Sequence, residues 1–192
     1  MYDLGLSRDE LVGLAAQGEK AASGVQHADN VAPAICGGFV IAHNNKVISL
    51  MPENIGIVAV HPDIVVSTRT ARAILPKKMW LGDVSFNTGS AASMVVGMMK
   101  SDIKLIGESM ENRVIEQVRG RLIRGYSHVR NSALEAGASG VTISGSGPTM
   151  LAACRMDERE KIAQAMKEAF NESNVRSEAF ITTIGKGAQI IQ

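Results

Sequence analysis

Aromatic side chains are scarce in this 192-residue sequence, at 4%, and neither sign of charge is in excess. Twenty Lys and Arg stand against 19 Asp and Glu, a formal net charge of +1. Binding to nucleic acid or to an anionic membrane surface needs a basic surplus, and base stacking needs rings, so neither class of partner is expected. Proline is sparse at 5, and no apolar stretch is long enough to span a bilayer. Cysteine is limited to Cys36 and Cys154, far apart in Ala-Ile-Cys-Gly and Ala-Ala-Cys-Arg. That spacing excludes a CxxC zinc or redox pair and leaves two buried thiols in a reducing compartment as the expectation. The first ten residues carry acids and no apolar run of signal-peptide type. A cytoplasmic location follows as an expectation.

What is present is a glycine-punctuated, 45% hydrophobic composition with 19 Gly and 10 Met, which is neither disordered nor fibrous in character. Ser7 and Glu10 form a capping box, predicting a helix to about Ala22. Gly38 to His43 and Lys46 to Leu50 read as a hairpin turning at Asn44-Asn45. Ile55 to Val60 is a continuous β-branched run, hence a buried strand closed by His61-Pro62. Helices are predicted over Thr70 to Leu75, Val84 to Met99, Ile103 to Met110 and Tyr126 to Ala136. Strands follow over Gly140 to Ser144 and Thr149 to Cys154, then an amphipathic helix over Asp157 to Phe170 and a strand over Ser177 to Thr183. A last strand is expected near Gln189 to Ile191. The pattern is α+β, without strict βαβ alternation. A boundary falls near Pro52, giving segments 1–51 and 52–192. One helix and one ribbon cannot bury both their faces, so the first segment is expected to lack something in front of it.

Three segments carry chemistry. His27-Ala28-Asp29-Asn30 sets polar side chains before the apolar run Val-Ala-Pro-Ala-Ile-Cys-Gly-Gly. It reads either as a helix cap or as a polar cluster buried at the edge of an apolar element, and burial of such a cluster is costly unless it is satisfied or used. Ser144-Gly145-Ser146-Gly147-Pro148 follows a strand. It is an ordinary hairpin turn or a nest of backbone N–H groups for an anion, but not a Walker loop or a dinucleotide fingerprint. Arg72 and Arg119 are side chains suited to two-pronged recognition of a carboxylate, or else two solvated surface arginines.

Taken together, His27-Ala28-Asp29-Asn30-Val31-Ala32-Pro33, the Thr-Arg-x-Ala-Arg-x-Ile-Leu-Pro stretch ending at Pro76, Val114-Ile115-Glu116 and Ser144-Gly145-Ser146-Gly147-Pro148-Thr149 resemble the homoserine kinases of the GHMP kinase superfamily. The resemblance runs from about Leu11 to the C-terminus. The glycine motif is shared across the superfamily, whereas the His-Ala-Asp-Asn run followed by both arginine segments is more specific. It implies a GHMP two-domain fold: part of an N-terminal layer like ribosomal protein S5 domain 2, then a complete ferredoxin-like C-terminal domain. It further implies transfer of the ATP γ-phosphoryl group to the L-homoserine hydroxyl, a step of threonine biosynthesis, with ATP and Mg²⁺ as cofactors. Residue by residue, His27, Asn30, Arg72 and Arg119 match substrate-binding positions, with Asn30 at the reacting hydroxyl and the two arginines at the carboxylate. Glu19 matches the ligand of Mg²⁺, while Thr68, Ser144, Gly145, Ser146 and Gly147 match positions beside the ATP phosphates. An amide is not basic, so orientation and a loose transition state are expected to serve in place of a base, with Asp29 as the rival candidate.

The family's phosphate-binding loop, Pro-x-x-x-Gly-Leu-Gly-Ser-Ser-Ala, occurs nowhere in the sequence, nor do the family's N-terminal residues for the substrate ammonium. The expectation is therefore a chain lacking the N-terminal segment, with little kinase activity by itself. The alternatives are a GHMP kinase for another small hydroxy acid and a non-catalytic GHMP C-terminal module. The resemblance leaves room for a homodimer.

Overall fold

A computed structural model describes residues 5–23, 28–44 and 46–189, with residues 19–23 described by backbone alone. The chain divides into two compact units, Met1–Glu53 with Ile184–Gln192, and Asn54–Thr183. The residues from Ile184 onward thus group with the N-terminal unit. Among the described residues no helix is long and apolar enough to cross a membrane.

The first unit holds α1 (Arg8–Ser23), α2 (Val31–Cys36), β1 (Phe39–His43) and β2 (Lys46–Leu50). The capping box forms reciprocally: Ser7 N–H donates to Glu10 Oε2 at 2.8 Å and Glu10 N–H to Ser7 Oγ at 3.3 Å. β1 and β2 pair antiparallel from Phe39 opposite Leu50 to His43 opposite Lys46. The C-terminal residues return here, with Gly38 N–H donating to Gly185 O at 2.9 Å and Ala188 N–H to Ala34 O at 2.8 Å. That approach needs glycine at position 37, where φ is +71 and a Cβ would run into the backbone of Gly187. Gln189 is in no strand, and residues 190–192 lie outside the described residues.

The second unit starts with β3 (Ile55–Pro62), continues through α3 (Thr68–Ala73), α4 (Leu81–Lys100), α5 (Ile103–Ser109), α6 (Ile115–Arg119), a 3₁₀ turn (Gly120–Leu122) and α7 (Tyr126–Glu135), and closes with β4 (Gly140–Ile143), β5 (Met150–Arg155), α8 (Arg159–Glu172) and β6 (Ser177–Thr183). Its sheet runs β4-β5-β3-β6, every neighbouring pair antiparallel. This is the ferredoxin-like order, with each sequence-adjacent pair of strands outside the β4-β5 hairpin joined through helices. Val58, Val60, Met150, Ala152 and Cys154 of the sheet meet Val129 and Ala133 of α7 and Ile162, Met166 and Phe170 of α8 in one buried core. β3 outruns the expected stop at His61-Pro62. Beyond Val60 it has only β6 beside it, and a proline opposite Ser177 costs no central ladder bond there.

Candidate active site

The polar run of the first unit is placed differently from either expectation. Asp29 and Asn30 are exposed, so they are not buried at the edge of an apolar element. Asn30 does occupy the N-cap of α2, but its side chain makes no capping bond, and its backbone is already helical at φ −100, ψ −41. Its carbonyl accepts Ala34 N–H at 3.3 Å. His27 lies outside the described residues, and Glu19 is on α1 with its side chain outside them.

In the second unit three of the singled-out segments meet. α3 begins at a Ser67 N-cap, whose Oγ accepts Thr70 N–H at 3.0 Å. This fixes Thr68 as the first helical residue and puts Arg72 in the last turn, both exposed. Arg119, at the end of α6, is half-buried. Its Nε donates to the Ala71 carbonyl of α3 at 3.4 Å and its Nη1 to the Gly145 carbonyl at 2.7 Å. One guanidinium thus ties the helix carrying Thr68 and Arg72 to the glycine loop, so Arg119 is no solvated surface arginine.

The loop itself is a tight turn. Gly145 and Gly147 have φ of +55 and +82, conformations that L side chains rarely adopt. Gly147 N–H donates to Ser144 O at 2.9 Å and Ser144 N–H to Thr149 O at 2.8 Å. Those two N–H groups are therefore spent inside the hairpin, which narrows any anion nest to what the rest of the loop provides. Thr149 Oγ1 lies 2.8 Å from His61 Nδ1 on β3, steadying the far side of the turn.

Sequence reasoning gave Glu116 no role, although it is only 7% exposed. Its Oε1 accepts Ile143 N–H at 3.1 Å, and the Thr142 and Tyr126 side chains hydrogen-bond the same carboxylate. Burial pushes this carboxyl above its ordinary value, against the pull of Thr142, Ile143 and the nearby Arg130. Burial and the adjacent Glu116 charge push the Tyr126 hydroxyl up to about 12. The only advance signal was an acid three residues before Arg119, in a helix too short to show periodicity. Among the described residues no group of three or more His, Cys, Asp or Glu is gathered to hold a metal ion.

Comparison with known proteins gives a consistent picture. The family model described as GHMP kinases C terminal matches residues 94–172. Homoserine kinase of Methanocella arvoryzae is 49% identical over 191 residues, which is 100% of this chain and 64% of that protein. Homoserine kinase of Natronomonas pharaonis is 48% identical over 190 residues, 99% of this chain and 65% of that protein. The crystal structure of homoserine kinase from Cytophaga hutchinsonii superposes with a TM-score of 0.89 at 37% identity, covering 95% of this chain and 59% of that one. The chain thus spans about 64% of the length of the curated relatives it matches.

Proposed function

The chain carries the C-terminal domain of the GHMP kinases within a part of the GHMP fold, and from that premise we propose that it serves as a homoserine kinase. The reaction is transfer of the ATP γ-phosphoryl group to the side-chain hydroxyl of L-homoserine, giving O-phospho-L-homoserine for threonine biosynthesis. The observation that carries this reading is the seat of Arg119. A guanidinium held by the Ala71 and Gly145 carbonyls stands between the helix of Arg72 and the glycine loop. Such a fixed, planar cation is what an amino-acid carboxylate requires, because a free amino acid must be anchored before its hydroxyl can be aimed.

In this reading Arg72 and Arg119 receive the carboxylate, and His27 and Asn30 contact the substrate, with Asn30 orienting the hydroxyl. Phosphoryl transfer asks for positioning and charge neutralisation rather than covalent help, so an amide suffices at that point and Asp29 is the alternative base. Thr68 and Ser144 to Gly147 lie toward the ATP phosphates. Mg²⁺, when bound, neutralises charge on the transferring oxygens, and Glu19 is the residue that would hold it, together with nucleotide oxygens. A cytoplasmic location goes with this reading.

The test joins the chain to the N-terminal third of the Methanocella arvoryzae homoserine kinase and assays ATP-dependent phosphorylation of L-homoserine, L-serine and other small alcohols. O-phospho-L-homoserine as the main product supports the reading, as does an Arg72→Ala variant whose KM for homoserine rises roughly a hundredfold, the loss of about two charge-assisted bonds. A folded fusion that phosphorylates another alcohol, or none, overturns it.

A further inference from the structure

α6 is only five residues long, with no side-chain cap bond of its own. A helix this short has no intrinsic persistence, so its direction is set by what holds it from outside. At its start, Asn112 Oδ1 accepts the N–H groups of Val114 and Ile115 at 3.1 and 2.7 Å. Along its length two side chains three residues apart, and so on one face, reach the same stretch of chain. Glu116 takes the Ile143 N–H, and Arg119 gives to the Gly145 carbonyl. β4 is an edge strand, and the Ile143 N–H is satisfied by this carboxylate rather than by a neighbouring strand. Between the two anchor points lies only Ser144, the first residue of the glycine loop.

We propose that Glu116 is a positioning residue: by gripping the end of β4 it fixes the direction of α6 and sets Arg119 and the 144–148 loop at the spacing that ligand binding requires. The ligand part of this statement rests on the homoserine kinase reading; the clamp itself does not. A carboxylate suits the task because it can accept several bonds at once. Here it takes the Ile143 N–H, the Thr142 hydroxyl and the Tyr126 hydroxyl. Tyr126 and Arg130, both on α7, are the titratable and charged groups that face it. From β4 it meets only the uncharged Thr142 and Ile143. Burying an ionised group is costly, and a site that served packing alone would be filled as well by an apolar side chain.

The test is amide hydrogen exchange on the 192-residue chain and its Glu116→Ala and Glu116→Gln variants. Glu116→Ala is expected to speed exchange at Ile143 and across Gly145 to Gly147 by about tenfold or more, with β3 and α8 within about twofold of the parent. Glu116→Gln keeps an acceptor oxygen and is expected to recover most of the loss. Unchanged loop exchange in Glu116→Ala overturns the proposal. So does equal acceleration in β3 and α8, which would make Glu116 a general stabiliser. Should Glu116→Ala fail to fold, Glu116→Asp replaces it: the carboxylate is one methylene shorter, and local loop acceleration is again expected. In the fusion enzyme, Glu116→Ala is expected to raise KM for the acceptor about tenfold with kcat within about threefold, the pattern of lost uniform binding. A fusion that makes no O-phospho-L-homoserine removes the kinase reading, while the exchange experiment still decides the clamp.

Discussion

Arg119 Nη1 donates to the carbonyl oxygen of Gly145 at 2.7 Å, and the same guanidinium reaches back to Ala71 O through Nε at 3.4 Å. Two backbone carbonyls on separate elements thus share one cation. Lysine has the charge and three donors, but on a single nitrogen, and lacks the rigid fork that sets Nε on one acceptor and Nη1 on the other.

Arg119→Lys is therefore expected to loosen the loop and cost about 1–2 kcal/mol, the value of two hydrogen bonds from a charged donor discounted for partial exposure. In a unit of this size that is a fall in Tm of several degrees, readable by circular dichroism. A variant as stable as the parent, with loop exchange unaltered, would show that the two bonds carry nothing.

Glu116 gives a pH signature with a definite sign. Its folded-state carboxyl titrates above the ordinary 4.5 because it is buried. Between 4.5 and the raised value the folded chain holds a proton that the unfolded chain has released. Stability therefore falls as pH rises through that window; the contribution is full below 4.5 and gone above the folded value. Glu116→Gln does not titrate. Urea midpoints of parent and variant, compared from about pH 4 to about pH 7, should show the parent losing ground to Glu116→Gln as pH increases. The opposite slope would mean that hydrogen bonding, not burial, governs the group.

Two glycines face each other where α5 lies against β4. A Cβ on Gly107 would run into the backbone of Ser139, and one on Gly140 into the backbone of Gly107. Neither obstacle is a flexible side-chain end, so the helix or the strand must shift. Gly107→Ala is expected to destabilise the unit by about 2 kcal/mol by overpacking, despite the gain in helix propensity. The double variant with Gly140→Ala should cost less than the sum, because the first shift makes room for the second methyl. Denaturant unfolding of the three variants measures both quantities, and a Gly107→Ala chain within about 0.5 kcal/mol of the parent contradicts the steric argument.

How much of this was legible in the sequence depends on whether a segment's partners are local. The capping box of Ser7 and Glu10, the amphipathic α8, the apolar β3 and the β1–β2 hairpin each carry their signal within a few residues, and each forms. The helices predicted from the sequence do not include α2, whose six residues hold Pro33 and are too few to show a period. Pro33 is the third helical residue, where an N–H has no intrahelical acceptor to lose. α6 and its 3₁₀ turn were missed because five residues cannot display a period, and Glu116 was missed with them. The motif residues of the second unit were legible as types, but their assembly was not. Arg119 is held by backbone carbonyls 48 and 26 positions away, and a carbonyl has no residue identity to read. The cap expected of Asp29 or Asn30 failed because Asn30 is already in helical backbone, a geometry in which the side chain does not reach the second or third N–H.

The two cysteines, expected to be equally buried, differ in the fold, and the difference predicts their chemistry. Cys154 on β5 has no exposed surface; its Sγ lies 3.6 Å from Gly56 O, and burial, helped by the Glu158 charge, pushes its thiol up to about 11. At pH 8 about one molecule in a thousand carries the reactive thiolate, and that fraction sits where no reagent reaches. Cys36, the last residue of α2, is half-buried and therefore within reach of solvent. Native chain treated with an aromatic disulfide reagent near pH 8 should release one equivalent of thiolate, mapped by mass spectrometry to Cys36. A second equivalent from Cys154 should appear only in denaturant, at the rate of global unfolding, because β5 lies between β4 and β3 in the sheet and cannot open by itself. Labelling of Cys154 in native buffer as fast as Cys36 would mean that the sheet opens locally at β5, and would contradict the packing of Cys154 against α8.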